Sequence, residues 1–404
     1  GNCITMTGLR IAFSFQRDGY HFPNCWQAIR TIPPASGGIP IKHQKHKTGS
    51  STMHPVKQLV GAALLSLALA GNAISAEKVN VGICVSWPGY AMLKIAEEAG
   101  LAPDLDFNFT IFEDPIGGHL ATAAGQIDVY MCTGDYTPII AERGTPVVNV
   151  GFTNPSYGVD HIILSPGVDA NNIKGQKVAA PQAYIGHLLM GLYLDTIGVE
   201  PGDVDWVNLN SDEAVGPMMS GDLAAAYLYE PWISKVLENR EGAASAIHTA
   251  DPDMLKTGIF MDVIYMNKDF IAERRQVALD VMKARWDAVE YWHDNTEEAN
   301  QIFADYLQWP VEDIGYVIGT NGKYFEGGIY MYDFDETARV CGALDGDPPF
   351  GLPNGSVADV ASFVNEWWIK LGLMDKTVDV STAVDCSLIA DLVKSGYRQS
   401  LSAN

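Results

Sequence analysis

From residue 78 onward, apolar residues recur along the chain with two alternating periods, one that suits strands and one that suits helices. "KVNVGICVS" (78–86) predicts a strand, "PGYAMLKIAEEAG" (88–100) a helix stopped by Gly100, and "FNFTIFED" (107–114) a second strand. "PIGGHLATAAGQ" (115–126) predicts a helix, "IDVYMCTG" (127–134) a strand, "TPIIAERG" (137–144) a short helix and "PVVNVGFT" (146–153) a strand. Strand and helix in strict alternation imply a parallel sheet with right-handed crossovers. The same order then repeats: strand 176–181, helix 183–197, strand 204–210, helix 213–222 and strand 223–231. Two apolar stretches, "DHIILS" (160–165) and "MDVIYMN" (261–267), connect the two units. Only helical periodicity follows, at 268–293, 296–308, 310–320, 334–344, 356–371 and 386–397.

The expected fold class is therefore α/β, with two lobes joined by two hinge crossings. Lobe 1 is discontinuous, 77–163 and 265–404, and lobe 2 is 164–264. Residues 1–52 show no periodicity and are expected to be upstream sequence outside the folded protein. Residues 53–76 combine a basic opening (Lys57), an apolar run from Leu59 to Ala70 and small residues up to Ala76, which is the pattern of a cleaved secretory signal. The run is well short of the roughly 20 residues that a membrane span needs. Export to the periplasm is expected.

Charge narrows the partners. The 404-residue chain carries 26 basic and 49 acidic side chains. Residues 1–76 hold seven of the bases and one of the acids, so the remainder has 19 and 48, a net of −29. Such a surface repels nucleic acid and anionic lipid. Of the six cysteines, Cys84, Cys132, Cys341 and Cys386 lie beyond residue 76, with no CxxC spacing, which argues against zinc. Cys341–Cys386 is an expected disulfide of an exported protein. Cys84 and Cys132 fall near predicted strand ends and are expected as buried free thiols. No cofactor is expected, and the protein is expected to act as a monomer.

Ligands of open parallel sheets bind beyond the carboxyl ends of the strands. Two lobes that face each other bring those ends to one cleft. The residues placed there are Trp87 and Tyr90, Asp135 and Tyr136, Gln182, Ala183 and Tyr184, and Tyr229, Glu230 and Trp232. Asp160 and Asp262 each open a hinge crossing directly before an apolar run, so both carboxylates are candidates for the cleft floor. Acids among aromatic faces suit an ammonium group. "APQAYIGHLLMG" (180–191) reads as a strand end turning into a helix, and a helix start offers unpaired N–H groups and partial positive charge to an anion. A solute with an amine near the acids and rings, and a polar or anionic end near 183–185, would fit. No Lys or Arg stands among these residues, which disfavours a bare inorganic anion.

The stretches 120–144, 173–210, 221–238 and 261–274, in this order and spacing, resemble the solute-binding proteins of ABC importers in the taurine/nitrate/sulfonate/aminopyrimidine group, above all the taurine-binding branch. The resemblance covers nearly all of 77–404. It implies a type II periplasmic-binding-protein fold with the ligand in the interlobe cleft. It also implies capture of a small organic solute and its delivery to the permease subunits of the transporter; with the acids and rings above, an amine-containing zwitterion such as taurine or a related solute is the expected ligand. By the same resemblance the 183–185 turn receives a sulfonate or carboxylate, and Asp262 matches the acid that receives a ligand amino group. A quaternary or alkylated ammonium compound, or a polyamine, remains the alternative ligand. A catalytic role is not expected: a pyrimidine synthase shares the fold, but the Cys-rich run it needs is absent here.

Overall fold

The computed structural model of the chain describes residues 76–323 and 328–397. The expected upstream segment 1–52 and signal 53–76, apart from Ala76, lie outside the described residues.

Strand β1 (Glu77–Cys84) is followed by α1 (Met92–Glu98), β2 (Leu105–Phe112), α2 (Pro115–Ala123), β3 (Val129–Thr133), α3 (Thr137–Arg143) and β4 (Val147–Pro155). The chain then passes to β5 (Asp160–Leu164), β6 (Lys177–Ala179), α4 (Ile185–Thr196), β7 (Asp205–Val207), α5 (Ser211–Ser220), β8 (Ala225–Tyr229), α6 (Trp232–Asn239), β9 (Ala244–His248) and α7 (Pro252–Leu255). Strand β10 (Met261–Asn267) brings it back. It continues as α8 (Lys268–Glu273), α9 (Arg275–Asp294), α10 (Thr296–Leu307), α11 (Val311–Ile318), α12 (Phe334–Val340), α13 (Val357–Lys370) and α14 (Ser387–Lys394). Two five-stranded sheets result, in the orders β2-β1-β3-β10-β4 and β7-β6-β8-β5-β9. This is the expected two-lobed α/β architecture.

Local chemistry explains the element ends. Asp114 accepts the Ile116 N–H at the start of α2, and Pro115 occupies its first position, where no N–H is needed. Asn210 and Glu213 form a capping box on α5. Strands β4 and β10 are buried along their whole length, because helices cover both faces of the first sheet. Their apolar runs therefore show no alternation. The main core packs around this sheet, and a smaller cluster with Met218, Leu228 and Ile233 lies in the second lobe.

Three expectations need correction. The stretches read as hinge crossings are strands inside the sheets. β5 pairs antiparallel with β8 and β9, and β10 pairs antiparallel with β3 and β4. The chain re-enters each sheet from the opposite lobe and so runs against its neighbours. The crossings proper are residues 156–159 and 249–260, and the expected lobe limits at 163/164 and 264/265 fall within strands. Second, Cys84 and Cys132 are bridged, with their Cα atoms 5.1 Å apart. The parallel register sets Ile83 against Met131, so the next residue of each strand faces its partner. Sequence spacing does not carry that register. Cys341 and Cys386 are bridged as expected. Third, the helix expected over 268–293 breaks at Arg274, where the backbone leaves helical angles. Strand β9 leaves no trace in the sequence periodicity: its largely exposed "ASAIH" lacks the apolar alternation of a half-buried strand.

The Cys84–Cys132 bridge closes 48 residues of chain. By the loop-entropy relation, the double Cys→Ala variant should lose about 4 kcal/mol of stability, read as a lower midpoint in denaturant unfolding.

Candidate functional site

The strand ends converge as the architecture requires. At the end of β1, Val85 adopts φ 53°, a left-handed conformation that is strained for a β-branched residue. It turns the chain into a short 3-10 turn, Pro88–Tyr90, that carries Trp87 and Tyr90 inward. β8 supplies Tyr227 and Tyr229, whose i, i+2 spacing puts both on one face. β5 and β10 begin with Asp160 and Asp262, and the start of α4 supplies Tyr184 and Ile185. With Thr133, and with Ser156, Val159 and Phe260 from the crossings, these residues line one cavity of about 420 Å³ including its mouth.

Asp160 and Asp262 thus come from different sheets and face the same space. Both are buried, at 8% and 7% exposure. Tyr90 donates its O–H to Asp262 Oδ1 at 2.9 Å, and Asn154 donates Nδ2–H to Oδ2 at 2.7 Å. Burial pushes the Asp262 carboxyl up to about 7; the charge of Asp160 adds to this, and the donors Asn154, Tyr90 and Trp87 oppose it. Asp160 accepts O–H bonds from Tyr227 and Ser156, both at 2.5 Å. Burial raises its carboxyl too, against the pull of those two donors. The rings of Trp87 and Tyr229 meet edge to face across the cleft, with centroids 5.6 Å apart. Among the described residues, no Lys or Arg lines the cavity.

Of the residues singled out from sequence, Trp87, Tyr90, Asp160, Tyr184, Tyr229 and Asp262 line this cavity. The other six lie elsewhere. Asp135 is fully buried, and its carboxylate forms no well-aligned hydrogen bond among the described residues. Burial pushes it up to about 7, offset in part by the nearby Thr133 hydroxyl and raised further by Asp262. Tyr136 packs its ring on His119 at 4.4 Å. Glu230 accepts bonds from the Ser234 N–H and O–H within the first turn of α6. Trp232 lies under the Lys235 ammonium, 5.1 Å from its ring centre. Gln182 is exposed, and its N–H goes to Asn208 Oδ1.

Ala183 donates its N–H to His187 Nδ1 at 3.3 Å, so that amide is not open to a ligand. His187 is buried against Trp206, and burial pushes its imidazole down to about 4, which keeps it neutral and able to accept. Helix α4 has no side-chain cap, and no hydrogen bond to the Tyr184 or Ile185 N–H is present among the described residues. Two of the three amides expected to meet an anion are thus open beside the cavity. Gly186 has its own role: a Cβ there would lie 2.2 Å from the Tyr227 ring. Only glycine lets α4 come this close to a cavity wall. Sequence reading missed Tyr227, although its spacing from Tyr229 was a usable signal. It also missed Ser156, Val159, Phe260 and Ile329, which lie in crossings or loops that carry no periodicity.

Two outcomes follow. Gly186→Ala should push Tyr227 off Asp160, cost about 1–3 kcal/mol as overpacking, and weaken solute binding; calorimetry and denaturant unfolding read both. The second concerns pH. An Asp262 carboxyl at about 7 in the folded chain, against 3.8 ordinarily, keeps a proton that the unfolded chain has already released. Ligand-free stability should therefore fall as pH rises from about 4 to about 7. Asp262→Asn should raise the melting temperature at pH 8 more than at pH 5 in thermal denaturation scans.

Residues 163–307 match the model of the NMT1-like family. A protein of Brucella abortus named as a binding protein is 25% identical over 251 residues, 61% of this chain and 75% of its own length. Among solved structures, the periplasmic aliphatic sulphonate binding protein SsuA of Escherichia coli superposes with a TM-score of 0.58 at 18% identity, covering 77% of this chain and 92% of that one. The periplasmic nitrate-binding protein NrtA of Synechocystis PCC 6803 gives 0.58 at 16% identity, covering 79% and 89%. A desulfurization enzyme, DszB, has the same fold at a TM-score of 0.52 and 13% identity, covering 80% of this chain and 100% of that one. Residues 163–307 thus match the NMT1-like family model, and the chain shares the fold of solved sulfonate- and nitrate-binding periplasmic proteins.

Proposed function

We propose that the protein is the periplasmic solute-binding component of an ABC importer and that it captures a small solute through an amino or alkylated ammonium group. One observation carries this reading. Asp160 and Asp262, one from each sheet, face the same aromatic-walled cavity with no basic side chain on its lining. A cation there neutralises two carboxylates that otherwise repel each other, and each charge-assisted contact contributes about 1.5–3 kcal/mol. The faces of Trp87, Tyr229 and Tyr184 add cation–π attraction of about 0.5–2 kcal/mol each. Micromolar affinity, about −8 kcal/mol, is within reach of such a set.

The same arrangement supplies the mechanism. A cation that touches Asp160 and Asp262 at once binds the closed form better than the open one, and so shifts the population toward closure. The closed form is the one a permease would accept.

A second reading, a taurine-like zwitterion, is favoured by the uncapped start of α4. There the open Tyr184 and Ile185 amides would receive the anionic end. The shared fold of a desulfurization enzyme makes catalysis the competing class, and unchanged solute after prolonged incubation with the protein would speak against it.

A thermal-shift screen against choline, glycine betaine, carnitine, putrescine, taurine and hypotaurine tests the reading. At least one amine should raise the melting temperature, and Asp262→Asn or Trp87→Ala should weaken its binding tenfold or more in calorimetry. Stabilisation by nitrate or an alkanesulfonate lacking an amine, with no response to any amine, would overturn it.

A further inference from the structure

The cavity carboxylate Asp160 is tied to both hinge crossings. Ser156, on the first crossing, donates its O–H to Asp160 Oδ2 at 2.5 Å. Ser156 Oγ also lies 2.5 Å from Thr249 Oγ1, at the start of the second crossing. The Gly158 N–H donates to Thr249 Oγ1 at 3.1 Å, and the Thr249 N–H returns to the Asp160 carbonyl at 3.1 Å. A hydroxyl has one proton to give. Because Ser156 gives its proton to the carboxylate, its oxygen accepts from Thr249 at 2.5 Å, a much closer acceptor for the Thr249 O–H than the Asp160 carbonyl at 3.5 Å. The Thr249 oxygen in turn accepts from Gly158. The order Gly158 N–H, Thr249 O–H, Ser156 O–H, Asp160 carboxylate therefore has one direction. It ends on an acceptor, and Tyr227 adds a second donor there. Such chains polarise along their length and favour the ionised acid at their end.

Thr249 is fully buried and does not line the cavity. Neither the proposed amine nor the strand pairing needs its hydroxyl. We propose that Thr249 is a positioning residue: through Ser156 it holds Asp160 ionised and aimed at the solute, and it makes the hinge crossings and the cation-binding carboxylate one hydrogen-bonded unit. The inference rests on the reading of Asp160 as a contact for the solute's nitrogen and deepens it. Any hinge motion that separates residue 156 from residue 249 breaks the chain at its middle. Opening the lobes then takes away the Thr249 donor behind Ser156, weakens the Ser156 bond to Asp160 and lowers its affinity for a cation, so capture and closure reinforce each other.

The groups facing Asp160 set the comparison. Tyr227 and Tyr229 reach it from β8, Tyr184 from the start of α4 and Asp262 from β10. On its own strand the next residue is His161, which stacks on His248 of β9 and is itself pushed down to about 4 by burial. None of these changes when residue 249 is altered.

The test is a titration of Asp160 in the ligand-free protein, by NMR of ¹³C-labelled aspartate carboxyls, with the signal assigned by its loss in Asp160→Asn. Thr249→Val keeps the shape and removes the hydroxyl; Thr249→Ser keeps the hydroxyl. The Val variant should raise the midpoint by about one pH unit, and the Ser variant should leave it in place. An unchanged midpoint in Thr249→Val, or equal shifts in both variants, would overturn the inference. Its failure is separable from failure of the functional reading. If Asp160→Asn abolishes the thermal shift from an amine but Thr249→Val leaves the Asp160 midpoint unmoved, the reading stands and the role of Thr249 falls.

Discussion

Two carboxylates held out of water, on opposite sides of a hinge, set the terms for everything else in this cleft. An ionised acid in a buried site is costly unless donors or a cation compensate it. Asp262 has Tyr90, Asn154 and the Trp87 indole around it, and Asp160 has Tyr227 and Ser156. These donors only partly offset the burial, since both carboxyls still titrate above the ordinary range. The remaining imbalance is the driving force for taking up a positive charge. It also acts between the lobes, because one cation relieves both acids only when the two sheets are close.

The aromatic wall serves the same end. Trp87, Tyr90, Tyr184, Tyr227 and Tyr229 exclude water from the carboxylates while offering polarisable faces and hydroxyl donors. Backbone geometry makes room for them. Val85 takes a strained conformation to turn the Trp87–Tyr90 segment inward, and Gly186 gives up its side chain so that α4 can pack on Tyr227. Strain and missing side chains at these points cost stability, and both sit at the cavity.

Much of the fold was legible from the chain alone, because two α/β units with short apolar strands leave a strong periodic trace. Helix α10, Thr296–Leu307, agrees with the expected helix 296–308 to within one residue. Pairing direction and register leave no such trace. The apolar runs at 160–165 and 261–267 therefore suit a crossing as well as a paired strand, and the strand-end positions of Cys84 and Cys132 do not by themselves disclose a bridge. In the site, Trp87, Tyr90 and Tyr184, which directly follow strands, line the cavity. Glu230 and Trp232 serve the first turn of α6, and Asp135 and Tyr136 turn into the lobe interior. Residues of the crossings, Ser156 and Thr249 among them, come together only through the three-dimensional path of the chain.

The most direct measurement is a crystal structure of the protein with the amine that stabilises it most. The solute's nitrogen should lie in the cavity within hydrogen-bond or ion-pair reach, about 3–4 Å, of both Asp160 and Asp262, with the ring of Trp87 or Tyr229 against it. A solute whose nitrogen touches neither carboxylate, or one seated outside the interlobe cavity, would contradict the idea that these two buried acids are what the cleft is built around.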